Sequence, residues 1–498
     1  MRLPYYLLLC LLLPCGAHAE DIGPAQAQNL QQQLQAWLSG LLGPGVTLPA
    51  LPWQITGEHD HYLITWPISG LDNKPDAVVS ASVRPLDAGR WSLDRVTAPA
   101  AGTFTITVPD TGKGNPQGPV KVAFSIGSQE IRGMLDPGLT TPSMLHTDLG
   151  HLTVATDGPT EHQEQHIDRY LVDTSLMPGR NGRLDLSANA TISGWQSAAQ
   201  MGDGKPIAMA VETLHARGLI EGVDRDRVAG LITALGSFIG ALPAEPAPPD
   251  HKAPLPPQAR AQLRLMIAAL QDVLTGVSLQ EDLDGLKVEV AGTGGISLQH
   301  VRLGLGGEAP EGRLHLWIDL GLDGLDSPTL PPRLVNLLPR HVEIRPSVSG
   351  VQTADLRKLL TDASQGDADG ASMKPDLMAI FANGGIDVGL EALSFDLGPA
   401  KFEGRGKVTV LAPGIWRGRA HVDATGFDEL LAQAHNDTDI QQALPILIML
   451  RGLAKPDGTR LVWDIESDGA TSVKVNGIDL SQLGSDKPKQ KGDQPRRR

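Results

Sequence analysis

Residues 294–322 read GGISLQHVRLGLGGEAPEGRLHLWIDLGL, and apolar side chains alternate with small or polar ones for most of this length. Leu314, Leu316, Ile318 and Leu320 occupy every second position of its second half. A period of two is typical of a β-strand that has one apolar face. The segment therefore predicts consecutive strands of a sheet.

Part of this segment recurs further along the chain. Residues 294–298 match 384–388 at an offset of 90, and residues 301–306 and 311–313 match 393–398 and 403–405 at an offset of 92. Two residues inserted into a period-two pattern leave every apolar side chain on its original face. We therefore expect one β-rich unit, with an apolar sheet face, to be used at least twice.

Helical patterns stand between the strands. Each is marked either by apolar residues at helical spacing or by its position directly after a strand and a glycine. These segments are 258–275, 353–363, 375–381, the segment from Asp428, and 443–454. Helix followed by sheet is the expected unit. The fold class that follows is α+β and β-rich: a long curved antiparallel sheet built from repeated helix-plus-meander units, with helices packed on one side.

The N-terminal half follows a similar plan. Residues 25–42 predict an amphipathic cap helix. Alternating runs predict strands at 62–68, 77–83, 102–108, 120–126, 151–155, 184–192 and 208–216, and residues 224–242 predict a helix. We expect an N-terminal β/α region at 20–242, a Pro-rich linker at 243–257, the duplicated region at 258–484 and a disordered basic tail at 485–498.

The first residues indicate export. Residues 1–19 combine Arg2, a leucine-rich run and the exit Ala17-His18-Ala19, which is the pattern of a secretory signal peptide cleaved before Glu20. The two cysteines of the sequence lie inside this segment, so the mature chain is expected to contain no disulfide, as suits a bacterial periplasm. Lipidation of Cys15 is the competing interpretation, although Pro14 stands where lipoproteins have a small residue.

Charge and hydropathy limit the classes of partner that the protein could bind. The formal net charge is −15, and basic residues cluster in the tail at 485–498. An acidic body repels nucleic acid, so we expect no nucleic-acid partner. No apolar run of the mature chain reaches the roughly 18 residues that a membrane-spanning helix needs.

Several short motifs carry a family resemblance. They are Ala36-Trp37-Leu38, Ala424-Thr425-Gly426-Phe427, the apolar helix at 443–454 and the closing strand at 472–477. Together they resemble an uncharacterised family of exported proteobacterial proteins, domain of unknown function 2125. The closing helix, strand and Val-Asn-Gly are also similar to AsmA-like envelope proteins, which implies elongated β structure and the movement of phospholipid. Unlike those proteins, this chain is expected to have no transmembrane anchor, which puts a bridging role between two membranes in doubt.

Catalytic patterns are weak. The N-terminal half contains six histidines that could seed a metal site: His59, His61, His146, His151, His162 and His166. His59 and His61 would share a face of a strand, and His162 and His166 a face of a helix, but a stable site needs three or four convergent ligands. Scattered carboxylates have no set separation, and the chain has no Gly-x-Ser-x-Gly elbow. We expect no catalytic residue, no metal and no cofactor.

The remaining candidate is an apolar binding site. We expect a non-enzymatic periplasmic protein of the cell envelope that binds or transports lipid, or another apolar molecule, along the sheet face. The expected lining residues are Leu314, Leu316, Ile318, Leu320, Val408 and Val410, with the helix at 443–454 as a flank or lid. Three alternatives stay open: the same side chains form core beneath helices, the histidines serve a metal-dependent hydrolase, or the protein is a structural scaffold.

Overall fold

The computed structural model describes most of residues 54–480 and the start of an N-terminal helix. The described residues are 22–31 (without Gln26 and Asn29), 54–68, 71–72, 76–86, 90–107, 119–135, 142–158, 161–201, 204–224, 256–269, 275–330, 338–363, 373–436, 441–469 and 472–480, together with single residues between 227 and 241 and at 273 and 335. The predicted signal peptide, the possible lipidation site, most of the Pro-rich linker and the basic tail lie outside them.

Within this part of the chain, twenty-one strands form one antiparallel sheet. The strands are β1 (Gln54–Glu58), β2 (His61–Pro67), β3 (Val78–Pro85), β4 (Trp91–Thr97), β5 (Ala101–Thr107), β6 (Pro119–Leu135), β7 (Pro142–Asp157), β8 (Glu161–Pro178), β9 (Leu184–Met201), β10 (Ile207–Val223), β11 (Gly276–Val290), β12 (Gly294–Glu308), β13 (Arg313–Asp323), β14 (Pro339–Gln352), β15 (Ile386–Leu397), β16 (Ala400–Ala412), β17 (Ile415–Thr425), β18 (Lys455–Asp457), β19 (Arg460–Ser467), β20 (Val473–Val475) and β21 (Ile478–Asp479).

The sheet is long, curved and almost entirely a meander. From β6 to β16 each strand pairs with the strand before it and the strand after it, and β17 pairs with β16 and β19. Near each end of the sheet, two short strands pair with the same longer strand. β4 and β5 both pair with β6, and β18 and β20 both pair with β19. Strand pairing also continues from β10 to β11 across the predicted linker. The division into two domains stays a prediction.

Five helices are described from end to end, and they connect the ends of strands: α1 (Pro257–Ala269), α2 (Thr353–Ala363), α3 (Met373–Ala382), α4 (Phe427–Asn436) and α5 (Leu444–Leu453). All five lie where the sequence predicted helices, and the predicted helix from Thr353 has the bounds expected for it. The prediction of an antiparallel, β-rich sheet is confirmed.

The predicted repeat is not matched in the structure along its whole length. Glu311-Gly312 lies in the turn between β12 and β13, where Glu311 has φ of +53°. Glu403-Gly404, its counterpart in the sequence, lies within β16. An alternating pattern is common to most strands of such a sheet, so similar sequences occur at different places in the meander.

Two compact cores lie near the ends of the sheet. At the N-terminal end, Ala27 and Leu30 of the first helical residues are buried against Tyr62, Trp91 and Leu93, as expected of a cap helix whose remainder lies outside the described residues. At the C-terminal end, a second core forms between α4, α5 and the strands β17 and β19; its buried members are Ala424, Phe427, Leu461, Trp463 and Val475.

The middle of the sheet carries a row of kinks, which we call the kink row. Strand registers place its eight members opposite one another on successive strands, the last just after β13: Gly127, His151, Asp168, Gly194, Glu212, Gly285, Gln299 and Gly324. Four of them have left-handed backbones, with φ of +54° at His151, +64° at Gly194, +67° at Gly285 and +63° at Gly324. Left-handed residues therefore alternate with ordinary ones across the row.

At the kink row, the odd-numbered and even-numbered residues of a strand exchange the faces of the sheet to which they point. On β10, odd-numbered Met209 and Val211 are the apolar, less exposed positions before Glu212, whereas even-numbered Leu214 and Ala216 take that place after it. A kinked residue in one strand of a pair ordinarily shifts the register. Here neighbouring strands are kinked at the same level, so the register is kept and one face stays apolar along the whole strand.

Candidate apolar binding face

Strand register brings residues from both predicted repeats onto one face. Leu316 on β13 lies opposite Val348 on β14, which lies opposite Val388 on β15, which lies opposite Val408 on β16. Paired residues project to the same side of a sheet. The four side chains therefore form a transverse apolar row across four strands.

Parallel rows widen this face. Leu305 pairs with Ile318, and Leu303 pairs with Leu320. The aliphatic side chains that are exposed here form what we call the apolar strip, and they comprise Leu303, Leu305, Leu316, Ile318, Leu320, Val348 and Val388.

The strip is open to solvent. Leu305 is 49% exposed and Ile318 48% exposed, and the least exposed member, Val348, still keeps 37%. Core residues are usually nearly inaccessible, as Leu93 is at 2%. The described helices therefore do not seal the strip as core, and the question that the sequence left open is answered at these positions.

The six side chains that the sequence singled out share this region. Leu316, Ile318 and Leu320 belong to the strip, while Leu314, Val408 and Val410 are half-buried next to it. Sequence reasoning missed four members: Leu303, Leu305, Val348 and Val388. Their period-two spacing was visible, but cross-strand register, which decides membership, is not readable from one strand.

The helix α5, which the sequence suggested as a flank or lid, packs elsewhere. Its Leu447, Leu450 and Leu453 pack on the C-terminal core, and the indole Nε1 of Trp463 donates a hydrogen bond of 2.9 Å to the carbonyl oxygen of Leu450. These contacts place α5 against β17 and β19, at one end of the sheet.

The opposite face of the same strands is polar. Cross-strand ion pairs join Arg302 to Asp282 at 3.4 Å, Arg345 to Asp319 at 2.9 Å and Lys407 to Asp387 at 2.8 Å. Each of these residues is a sequence neighbour of one on the apolar face, and alternate residues of a strand point to opposite sides. The sheet thus separates an aliphatic side from a charged one.

Asp387 shows how this polar face is stabilised. Burial raises the pKa of its carboxyl, but the Lys407 ammonium and a 2.6 Å hydrogen bond from the Thr409 hydroxyl outweigh that effect. The net pKa lies below the usual value of 3.8. A lowered carboxyl pKa adds stability that is present above 3.8 and is lost as the pH falls through the folded-state pKa.

Lys407→Met should therefore lower the free energy of unfolding in a pH-dependent way. At pH 7 we expect a loss of about 0.3–1 kcal/mol, the range for a partly exposed pair. The loss should be smaller at pH 2, below the usual carboxyl pKa of 3.8, because Asp387 becomes protonated as the pH falls through its folded-state pKa. Urea unfolding at both pH values measures it, and a loss of equal size at each would contradict the ion-pair explanation.

The structure also places the histidines that the sequence singled out. His59 lies in the turn between β1 and β2, and residues 162–166 lie in β8 and not in a helix. His61, His146 and His162 each pair with a nearby aspartate. His151 and His166 instead converge with a third group, Asp168.

Within the described residues, no helix is both long enough and apolar enough to cross a membrane. No curated protein and no solved structure matches the chain. The likeness to AsmA-like envelope proteins thus stays a prediction. A family model does match residues 258–473, and that family is described as "Uncharacterized protein conserved in bacteria (DUF2125)". Residues 258–473, the part of the chain that carries the apolar strip, are thus similar to the uncharacterized bacterial family of domain of unknown function 2125.

Proposed function

We propose that this protein is a non-enzymatic, exported protein of the bacterial envelope that binds the acyl chains of lipid along the apolar strip. The observation that carries the proposal is the exposure of the strip, whose seven side chains range from 37% to 49% exposed. Soluble proteins rarely expose a large contiguous apolar patch unless it contacts a partner or a lipid. Export to the periplasm, expected from residues 1–19, belongs to the proposal because it would bring the strip close to membranes.

The chemistry of the strip favours lipid over a protein partner. Its members are leucine, isoleucine and valine. Energetically important centres of protein interfaces are enriched in tryptophan, tyrosine and arginine. Aliphatic side chains without polar anchors suit a ligand that needs no directional contacts, such as an acyl chain.

The dimensions of the strip fit an acyl chain. On β13 the strip runs four positions, from Leu316 to Leu320, which corresponds to roughly 13 Å at about 3.3 Å per residue. One leaflet of a bilayer's hydrocarbon core is about 15 Å thick, so an extended acyl chain is of this length. The strip extends across β12 to β15, which is about 14 Å at the usual strand spacing and leaves room for more than one chain.

The repeat in the sequence has a place in this proposal. If the two similar segments arose from one unit, as the sequence predicts, then β13 and β16 contribute corresponding apolar rows to a common surface. Leu316 and Val408 belong to the same transverse row, which supports a lengthened binding face.

Replacement of Ile318 by asparagine tests the proposal. Burying an isoleucine side chain is worth about 1.5–3 kcal/mol, so part of that loss should weaken lipid binding by about tenfold. Purified full-length protein is titrated with a fluorescent phospholipid below its aggregation concentration, and native mass spectrometry identifies any lipid carried through purification. The fold should be preserved because the side chain is half exposed.

Ile415→Asn is the matched control. Ile415 is also aliphatic and is 55% exposed, but it lies at the hairpin that joins β16 to β17. It should leave binding within about twofold of the wild type. Equal losses in both variants, or no lipid uptake by the wild type, would overturn the proposal; concentration-dependent dimers that Ile318→Asn abolishes would show instead that a second copy covers the strip.

A further inference from the structure

We propose that His151, His166 and Asp168 form a binding site for a divalent transition-metal ion of the zinc class. Each residue offers one ligand atom, and the three atoms lie within 4.8 Å of one another. This site is independent of the apolar strip, since it lies on β7 and β8 of the N-terminal half.

The distances suit a small metal ion. Ligand atoms about 2.0–2.1 Å from a tetrahedral zinc lie about 3.3 Å apart. His166 Nε2 and Asp168 Oδ1 are 3.0 Å apart. The third ligand atom, on the exposed His151, lies within 4.8 Å of the other two, and rotation of that side chain would bring it to a matching distance. Two imidazoles and one carboxylate, with a position left for water, make up the ligand set of open zinc sites.

The kink row creates this convergence. His151 and Asp168 are opposite members of the row, and His151 has a left-handed backbone with φ of +54°. A non-glycine residue in that conformation is uncommon and costs free energy. On the neighbouring strand the Asp168 carboxylate lies across Gly194, where a Cβ atom would overlap it. Strain at His151 and the missing side chain at Gly194 both serve to place ligands.

A further contact orients one imidazole. His166 Nδ1 lies 3.5 Å from the Thr153 hydroxyl oxygen, on the strand next to it. A partner on one ring nitrogen sets which nitrogen is free for a metal. Here the Nε2 atom of His166 is the one that faces Asp168 and His151.

Another pair on the same two strands provides a matched control. His146 on β7 lies 2.7 Å from Asp173 on β8, directly across the ladder. Among the described residues this pair has no third metal ligand within the same reach. His146 and His151 therefore differ in the number of convergent ligands while they share strand, chemistry and a cross-strand aspartate.

The test uses full-length protein without a histidine tag, titrated with Zn²⁺ by calorimetry. We expect one site on the wild type, and a loss of more than about 100-fold in affinity for His166→Ala, since removal of an outer-shell partner alone costs 10–100-fold. Asp168→Asn should lose affinity while it preserves side-chain size. His146→Ala should change affinity by less than about twofold. Circular dichroism checks that each variant is folded.

Cobalt substitution gives a second measurement. Co²⁺ in a tetrahedral protein site absorbs strongly in the visible range, and His166→Ala should lose that band whereas His146→Ala should keep it. The proposal is overturned if the wild type binds Zn²⁺ no more tightly than His166→Ala, or if the two histidine variants lose affinity equally, because scattered surface histidines would then explain the binding.

Discussion

Phe427→Ala should lower the free energy of unfolding of the C-terminal end of the sheet by about 3–5 kcal/mol, the usual cost of removing a buried aromatic ring. Phe427 is 2% exposed and begins α4. Its ring contacts Phe402 edge-on at a centroid distance of 6.0 Å and lies 5.7 Å from Trp463. The ring of Phe427 therefore packs between α4, β16 and β19, and its replacement by alanine would leave a cavity among these three elements.

Hydrogen exchange is the suitable measurement, because a long meander can open at one end while the rest stays folded. Amides of β19 should exchange about 100-fold faster or more in the variant, while those of β7 and β8 should be unaffected. Ile446→Ala on α5 is the control, since Ile446 is 58% exposed and its truncation should cost less than about 0.5 kcal/mol. Equal effects of the two substitutions would show that the C-terminal core is not closed around Phe427.

Gly285→Ala should destabilise the middle of the sheet by about 2–5 kcal/mol. Gly285 has φ of +67°, and a left-handed backbone costs about 1–2 kcal/mol for a residue with a Cβ atom. That Cβ would also lie 2.5 Å from Cγ and Cδ of Glu212 on β10. Overpacking of this kind adds about 1–3 kcal/mol, and displacement of Glu212 would disturb its ion pair with Lys287 at 3.7 Å.

Gly292→Ala separates the cost of backbone strain from the cost of steric overlap with a neighbouring side chain. Gly292 has φ of +69°, almost the same as Gly285, but the nearest atom to its missing Cβ is Lys205 Nζ at 3.8 Å. It should cost only the 1–2 kcal/mol of backbone strain. The comparison uses urea unfolding followed by far-ultraviolet circular dichroism. Costs that agree within error would mean that the kink row does not constrain side-chain packing at Gly285.

Predicted strands and observed strands differ most where the kink row crosses them. The sequence predicted a strand at 120–126, but β6 continues through Gly127 to Leu135. It predicted one at 184–192, but β9 continues through Gly194 to Met201. Alternation breaks at a kink, so the pattern of period two ends there although strand pairing continues on both sides.

β8 was missed for a related reason. Its first residues, Glu161 to His166, are polar on both faces and offer no alternating apolar pattern. Only its pairing with β7 and β9 along almost its whole length makes it a strand. The same residues hold His166, so the convergence of His151, His166 and Asp168 was also invisible in the sequence.

Local patterns in the chain were sufficient to determine the secondary-structure class, the positions of the helices and the apolar character of one strand face, because each depends on side-chain spacing within a single element. Tertiary structure decided the rest. Cross-strand register brought Leu316, Val348 and Val388 together on one open face, and the aligned kinks brought His151 to Asp168. Both depend on which residues of different strands lie opposite each other, and pairing energies distributed over the entire sheet set that register.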